Sequence, residues 1–210
     1  MSFASIGWGG IAAGIAVVIL SYCMGNISPA IIIGKMHGLD IKKEGSGNAG
    51  TTNVLRVLGK KAAVTTLLID ILKGVFAVLL GKVVGAYVAP EVAHYIAMAC
   101  GLAVFCGHIW PIVFGFKGGK GVATAFGVLM AISPVMGLSA LLIVVVAVAI
   151  SRMVSLGSIL AAVAFPFIAY FYNPDYLLWG AIMALIVLWK HRANIGRLIK
   201  GEESKISLKK

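Results

Sequence analysis

The chain has 210 residues, 60% of them hydrophobic and 12% charged, with a mean hydropathy of +1.02. That composition is too apolar for an ordinary soluble domain, and the length fits a single unit, residues 1–210. The net charge of +11 does not read as a nucleic-acid footprint: the basic residues sit in short connections between apolar runs, where they favour anionic lipid headgroups and can hold an anionic substrate.

Trp8 to Ile33 is the first apolar run, and it meets the ~20 residues a transmembrane helix needs. It is too long for the apolar core of a signal peptide and no A-x-A-like site follows, so it reads as a retained span, kinked at Pro29. Residues 35–61 are polar, Gly-rich and basic. Val64 to Val88 is the second run, closed by Ala89-Pro90-Glu91. Inside it lie Asp70 and Lys73, at i and i+3. Charges within a span are expensive and mark a functional or paired site, and this spacing permits an ion pair. A structural pair supporting the inner site is expected ahead of a proton relay. Lys82 is expected to snorkel toward the outer interface.

Val92 to Ile109 is the third run. Val122 to Ile150 would make a helix of about 43 Å, too long for one span and short for two. Ser133-Pro134 divides it, giving two helices of which the first is short. Ser155 to Tyr172 is the sixth run, ended by Asn173-Pro174-Asp175, and Tyr176 to Trp189 is the seventh. Cys23, Cys100 and Cys106 lie in apolar runs without metal-ligand spacing and read as packing residues.

The connections alternate in charge. One set carries every Lys and Arg except Lys73 and Lys82; the other carries Glu91 and Asp175 and no base. By the positive-inside rule the first set is cytoplasmic. Seven spans then place the N-terminus outside and the C-terminus inside, whereas an undivided 122–150 would put Arg152 and the tail on opposite sides. Trp110, Tyr172, Trp179 and Trp189 fall near predicted span ends, as interfacial aromatics do. The expected fold is an all-α integral membrane protein, a bundle of about seven transmembrane helices.

Four stretches of the basic side can carry chemistry. In GSGNAGTTNVLR, Gly45 to Arg56, three glycines within six residues let the backbone approach a ligand. Ser46, Asn48, Thr51, Thr52 and Asn53 offer short polar side chains, and Arg56 can fork onto a phosphate. Taken alone, the stretch also reads as a cytoplasmic loop ending in a helix cap. In GHIWPIVFGFKGGKGVAT, Gly107 to Thr124, the FKGGKG run before an apolar helix resembles a phosphate cradle, with backbone N–H groups and a helix N-terminus facing an anion beside lysines. It is not a Walker A loop, since Gly121 follows Lys120, so nucleotide hydrolysis is not expected. His108 can return to the same site, or serve as a hydrogen-bonded interfacial residue. SRMVSLGS, Ser151 to Ser158, can close over an anion or form a plain inner turn. HRANIGRLIKGEE, His191 to Glu203, places His191, Asn194 and Ile195 on one helix face between Arg192 and Arg197; a basic helix leaving the bilayer is also a common lipid-surface anchor.

Together these stretches, with the DILKG of the second run, resemble the bacterial acyl-phosphate:glycerol-3-phosphate acyltransferases, the PlsY family. The resemblance covers nearly the whole chain in order. The family more often has GNPGATN where this chain has Gly47-Asn48-Ala49-Gly50-Thr51-Thr52-Asn53, so Ala49 replaces a turn-stiffening proline. The resemblance implies acyl transfer from a long-chain acyl phosphate to the sn-1 hydroxyl of glycerol 3-phosphate in the bacterial inner membrane, at a site facing the cytoplasm, giving lysophosphatidic acid and phosphate. It implies no cofactor and no metal; the partners are the two substrates and membrane lipid, with no nucleic acid. The residues expected at the chemistry are Ser46, Arg56, His108, Lys117, His191 and Asn194. Those expected to bind substrate are Gly47, Asn48, Thr52, Asn53, Gly118, Gly119, Lys120, Gly121, Arg152, Ser155, Ser158 and Arg192.

An acyl phosphate is already activated, and the chain has no G-x-S-x-G elbow, so direct transfer without an acyl-enzyme is expected, driven by positioning and charge stabilisation. His191, His108 and the substrate's own phosphate remain open as proton acceptor. No histidine is followed by Asp five residues later, which sets aside the H-x-x-x-x-D mechanism of other glycerolipid acyltransferases. The rival reading is a small transporter of an organic phosphate, because split helices with an anion site at a helix N-terminus also fit transporters.

Overall fold

The computed structural model describes residues 7–206. Every regular element in that range is helical, and the chain forms two compact units, Met1–Ile132 and Ser133–Lys210.

The first unit holds α1 (Trp8–Gly25), α2 (Pro29–Met36), α3 (Thr51–Leu58), α4 (Lys60–Val88), α5 (Ala93–Ile109) and α6 (Val122–Ile132). The expected kink at Pro29 is a full break. Ser28 is extended (φ −108°, ψ 94°) and Pro29 opens α2, as proline does at a helix start while holding its predecessor out of the helical region. A break inside a span frees carbonyls that lipid cannot hydrogen-bond. Lys73 on α4 supplies the donors: its Nζ lies 3.3 Å from the Gly25 carbonyl oxygen and 2.8 Å from that of Ile27. Close helix contacts in this unit rely on glycine. A Cβ on Gly107 of α5 would overlap the Tyr22 carbonyl of α1, and one on Gly127 of α6 would overlap the Ile71 carbonyl of α4. Small residues at such seams let membrane helices pack backbone to backbone.

The second unit holds α7 (Pro134–Ser151), α8 (Val154–Tyr172), α9 (Leu177–Lys190) and α10 (Arg192–Ile199). The helical run does divide at Ser133-Pro134, by the same device: Ser133 is extended and Pro134 opens α7. Arg152 ends α7 in the left-handed region (φ 62°), its N–H bonded to the Val148 carbonyl.

Five segments are long and apolar enough to cross a membrane: Trp8–Met36, Lys60–Val88, Pro90–Phe114, Pro134–Ser151 and Val154–Tyr172. Many large apolar side chains on them point outward, among them Phe76, Leu142 and Phe167, the pattern of helices solvated by lipid. α6 is shorter, with 11 residues, about 16 Å against a hydrocarbon core of about 30 Å. Lys82, expected to snorkel, donates to the Ala131 carbonyl at the end of α6 (2.7 Å) and so caps that short helix.

Candidate active site

In the first unit, the loop ahead of α3 is built around Asn53. Its Oδ1 accepts the Ser46 N–H (2.8 Å), and its Nδ2 donates to the carbonyls of Ile41 (3.1 Å) and Glu44 (3.0 Å). Asn53 is buried. Its amide is therefore spent on shaping the loop, a different part from the direct substrate contact expected of it. Gly45 and Gly47 turn the loop with φ of +58° and +69°, values that favour glycine; a Cβ on Gly45 would also overlap Asn53 Oδ1. The result leaves Ser46 and Arg56 exposed and Asn48 and Thr52 half-buried.

The glycine loop leaves α5, makes a 3-10 turn at Ile112–Phe114 and folds back. The Gly118 N–H donates to the Ile109 carbonyl (3.1 Å) and the Gly119 N–H to the His108 carbonyl (3.3 Å). These two amides close the loop, so they do not face an anion as the sequence led one to expect. Lys120 and Gly121 lead directly into the first turn of α6, and the amides of a helix start are the kind of backbone donor that can face an anion. Gly121 (φ +82°) lies so close to the Phe105 ring that a Cβ would overlap it. Lys117 is exposed and Lys120 half-buried.

Beside this loop, the ammonium groups of Lys35 and Lys42 each stand 5.7 Å from the Phe114 ring centre. Burial pushes the Lys42 ammonium below the ordinary lysine value; Asp40 opposes the shift, and the charges of Lys117 and Lys35 add to it. Such like-charge crowding favours an anion nearby.

Behind the loop lies a buried triangle. Lys73 Nζ is 2.7 Å from Asp70 Oδ1 and 2.9 Å from His108 Nδ1, and His108 Nδ1 is 3.2 Å from Asp70 Oδ1. The Asp70–Lys73 ion pair was legible from its spacing; its third member, His108, was not. The Nε2 edge of His108 abuts Gly119, where a Cβ would overlap it and would stand 2.7 Å from the Ala49 carbonyl. The two Gly-rich loops thus meet at Ala49 and Gly119, with His108 beneath the seam.

The second unit gathers a separate cluster around Glu203, a residue that no motif reading singled out. Its Oε1 accepts from Ser155 Oγ and from Asn194 Nδ2, and its Oε2 from Arg197 Nε, each at 2.7 Å. Burial alone would raise this carboxyl; the three hydrogen bonds and the Arg197 charge outweigh it and hold it below the ordinary range. Ser155 and Asn194, expected at substrate and chemistry, are thereby fixed by a common acceptor. The available signal was an acidic pair, Glu202-Glu203, in an otherwise basic tail. His191 is buried and donates Nδ1–H to the Val187 carbonyl (2.8 Å). The Ser158 hydroxyl donates back to the Val154 carbonyl (2.9 Å) within its own helix, which fixes its rotamer and leaves its oxygen able to accept. Arg152 is exposed, and Arg192 stacks 4.6 Å over the Trp189 ring. Among the described residues no group of three or more His, Cys, Asp or Glu is placed to hold a metal.

The model of the family described as "Glycerol-3-phosphate acyltransferase" matches residues 15–201. The chain belongs to the glycerol-3-phosphate acyltransferase family. Proteins named glycerol-3-phosphate acyltransferase from Clostridioides difficile (strain 630) and Neisseria meningitidis serogroup C are 44% and 45% identical to it; each alignment covers 93% of this chain, and 97% and 98% of the relative. Among solved structures it is similar to PlsY (YgiH), described as an integral membrane glycerol 3-phosphate acyltransferase. The glycerol 3-phosphate form of that protein is 35% identical, with a TM-score of 0.84 and coverage of 92% of this chain and 96% of that one. The lysophosphatidic acid form gives a TM-score of 0.81. This acyltransferase is therefore an all-helical membrane enzyme that acylates glycerol 3-phosphate.

Proposed function

We propose that the acyl donor is a long-chain acyl phosphate and that the enzyme works by direct transfer. The sn-1 oxygen of glycerol 3-phosphate forms a bond to the donor's carbonyl carbon, the bond from that carbon to the phosphate oxygen breaks, and phosphate leaves with the electron pair. The hydroxyl proton passes to an acceptor and ends on phosphate, so the products are lysophosphatidic acid and inorganic phosphate. The observation that carries this reading is the meeting of two Gly-rich loops at Ala49 and Gly119, with Lys35, Lys42 and Lys117 crowded alongside. Both substrates bring phosphate, and that is the chemistry such a site suits.

In this reading Lys117, Lys120 and Arg56 hold phosphate, and Ser46, Asn48 and Thr52 add hydrogen bonds. Gly47 and Gly118 keep the loops open, and Asn53 gives them shape. His191, Asn194, Ser155, Arg152 and Arg192 of the second unit complete the set proposed to act on substrate. The family match runs unbroken across the division between the two units, which supports their working as one acyltransferase domain. Seven membrane-spanning helices, the N-terminus outside, the C-terminus inside and the site facing the cytoplasm of a bacterial inner membrane agree with the one-sided distribution of Lys and Arg.

The test is a two-substrate rate study of the detergent-purified enzyme. Direct transfer needs both substrates bound together and gives intersecting double-reciprocal lines, whereas an acyl-enzyme gives parallel ones. Recovery of an acyl group on Ser46 after incubation with acyl phosphate alone would overturn the mechanism.

A further inference from the structure

The buried triangle behind the loops has a consequence for one of the three candidate proton acceptors. A charged lysine has three N–H donors, and Lys73 Nζ has four acceptors near it. The three nearest are Asp70 Oδ1 (2.7 Å), the Ile27 carbonyl (2.8 Å) and His108 Nδ1 (2.9 Å); the Gly25 carbonyl is farther, at 3.3 Å. If His108 carried its proton on Nδ1, that N–H would face the Lys73 ammonium, donor against donor, at hydrogen-bond distance. The bond it would gain, to Asp70 Oδ1, spans 3.2 Å, longer than the 2.7–2.9 Å usual when an N–H meets a carboxylate charge. The short contact is the one to lysine, and it requires Nδ1 to accept.

We propose that Lys73 is a positioning residue: by donating to Nδ1 it fixes His108 as the neutral imidazole with its proton on Nε2, so that His108 serves the seam at Gly119 as a hydrogen-bond donor and does not take the hydroxyl proton. Asp70 holds the ammonium in place, and the Ile27 carbonyl at the α1–α2 break takes its third N–H, so one lysine ties that break to the glycine loop. The hydroxyl proton then goes to His191 or to phosphate. The inference rests on the loops binding phosphate only for its meaning in catalysis; the tautomer itself does not depend on what they bind.

The experiment is 15N NMR of the enzyme labelled with 15N-histidine, in lipid nanodiscs at neutral pH. The His108 signals are assigned by their loss in H108Q, or by elimination with H37Q, H94Q and H191Q should H108Q fail to fold. The expected spectrum shows Nε2 bearing a proton and Nδ1 bare, and in K73M the proton moves to Nδ1, which then donates to Asp70. A wild-type Nδ1 carrying a proton, with or without one on Nε2, overturns the proposal. Turnover gives an independent readout. H108Q keeps a donor near the place of Nε2 yet cannot serve as a base, so it should retain activity within roughly tenfold and H108A should fall further; a loss in folded H108Q on the order of 10²–10⁴-fold, the usual worth of a general base, overturns it too. Failure of the phosphate reading would show separately, as unchanged glycerol 3-phosphate affinity in K120A.

Discussion

Asn194 donates its side-chain amide to Glu203 at 2.7 Å, and both residues are buried. The same carboxylate oxygen takes the Ser155 hydroxyl, which joins the start of α8 to the segment after α10. Removing Glu203 strands two buried donors and leaves Arg197 without its partner. Unsatisfied buried groups cost about 1–3 kcal/mol each; Arg197 is partly exposed, so its share is small. E203A should therefore lose about 2–5 kcal/mol of stability, read as a lowered melting temperature and reduced yield of detergent-purified protein. A normal melting temperature in E203A would show that the cluster is dispensable.

The same carboxyl gives a pH dependence. Its folded value lies below the ordinary one, so its stabilisation is fully present above the unfolded carboxylate value of about 4.3 and is lost as pH falls through the lower folded value. E203Q is neutral throughout. The gap in melting temperature between wild type and E203Q should be constant from pH 8 to 6 and close as the pH drops below about 4.3. A gap that widens toward acid would reverse the sign of the shift.

Asn53 is the strut of the loop from Ile41 to Ser46. N53A removes three hydrogen bonds, freeing a segment that contains Lys42 and Lys43. Limited trypsin digestion should cut N53A there faster than wild type, and the KM for glycerol 3-phosphate should rise. N53D keeps the acceptor for the Ser46 N–H and loses both donors, so its cleavage rate should fall between the two. Equal cleavage of all three proteins would count against the strut.

These cases mark how far the sequence reads. Apolar runs and prolines act locally, so the division at Ser133-Pro134 and the pairing of Asp70 with Lys73 were visible in spacing, while Pro29 promised a kink and makes a full break. Three long-range closures were not: Asn53 reaching back to Ile41, His108 joining a pair more than thirty residues away, and Glu203 gathering Ser155 and Asn194. In each, the contact that fixes a polar side chain comes from a distant part of the chain, and composition carries no trace of that. For the short helix α3 the sequence offers only a helix cap at the end of a loop, although Val54, Leu55, Val57 and Leu58 give it an apolar face that packs beside Ile31 and Ile41.

Membrane orientation can be read directly. In a variant with Cys23, Cys100 and Cys106 replaced, E91C and D175C should react with an impermeant thiol reagent in intact cells, while S46C and S204C should react only after the membrane is opened. Labelling of S204C from outside would contradict a cytoplasmic C-terminus.

Two glycines separate a packed seam from open space. At Gly119 an added methyl would overlap His108 Nε2 and press within 2.7 Å of the Ala49 carbonyl. One of those obstacles is backbone and the other is a ring held by Lys73 and Asp70, so neither yields cheaply. At Gly196, inside α10, a Cβ meets nothing within 4 Å, and alanine there should steady the helix by roughly 0.5–1 kcal/mol. G119A should thus push the two loops apart and lose most of its activity while still inserting in the membrane, since Gly119 itself lies in the loop between α5 and α6 and not in a helix. G196A should match wild type in turnover and equal or exceed it in melting temperature. The pair is informative because the chemical change is the same in both. Should G119A turn over normally, the seam between Ala49 and Gly119 would not be the place where the two loops act together.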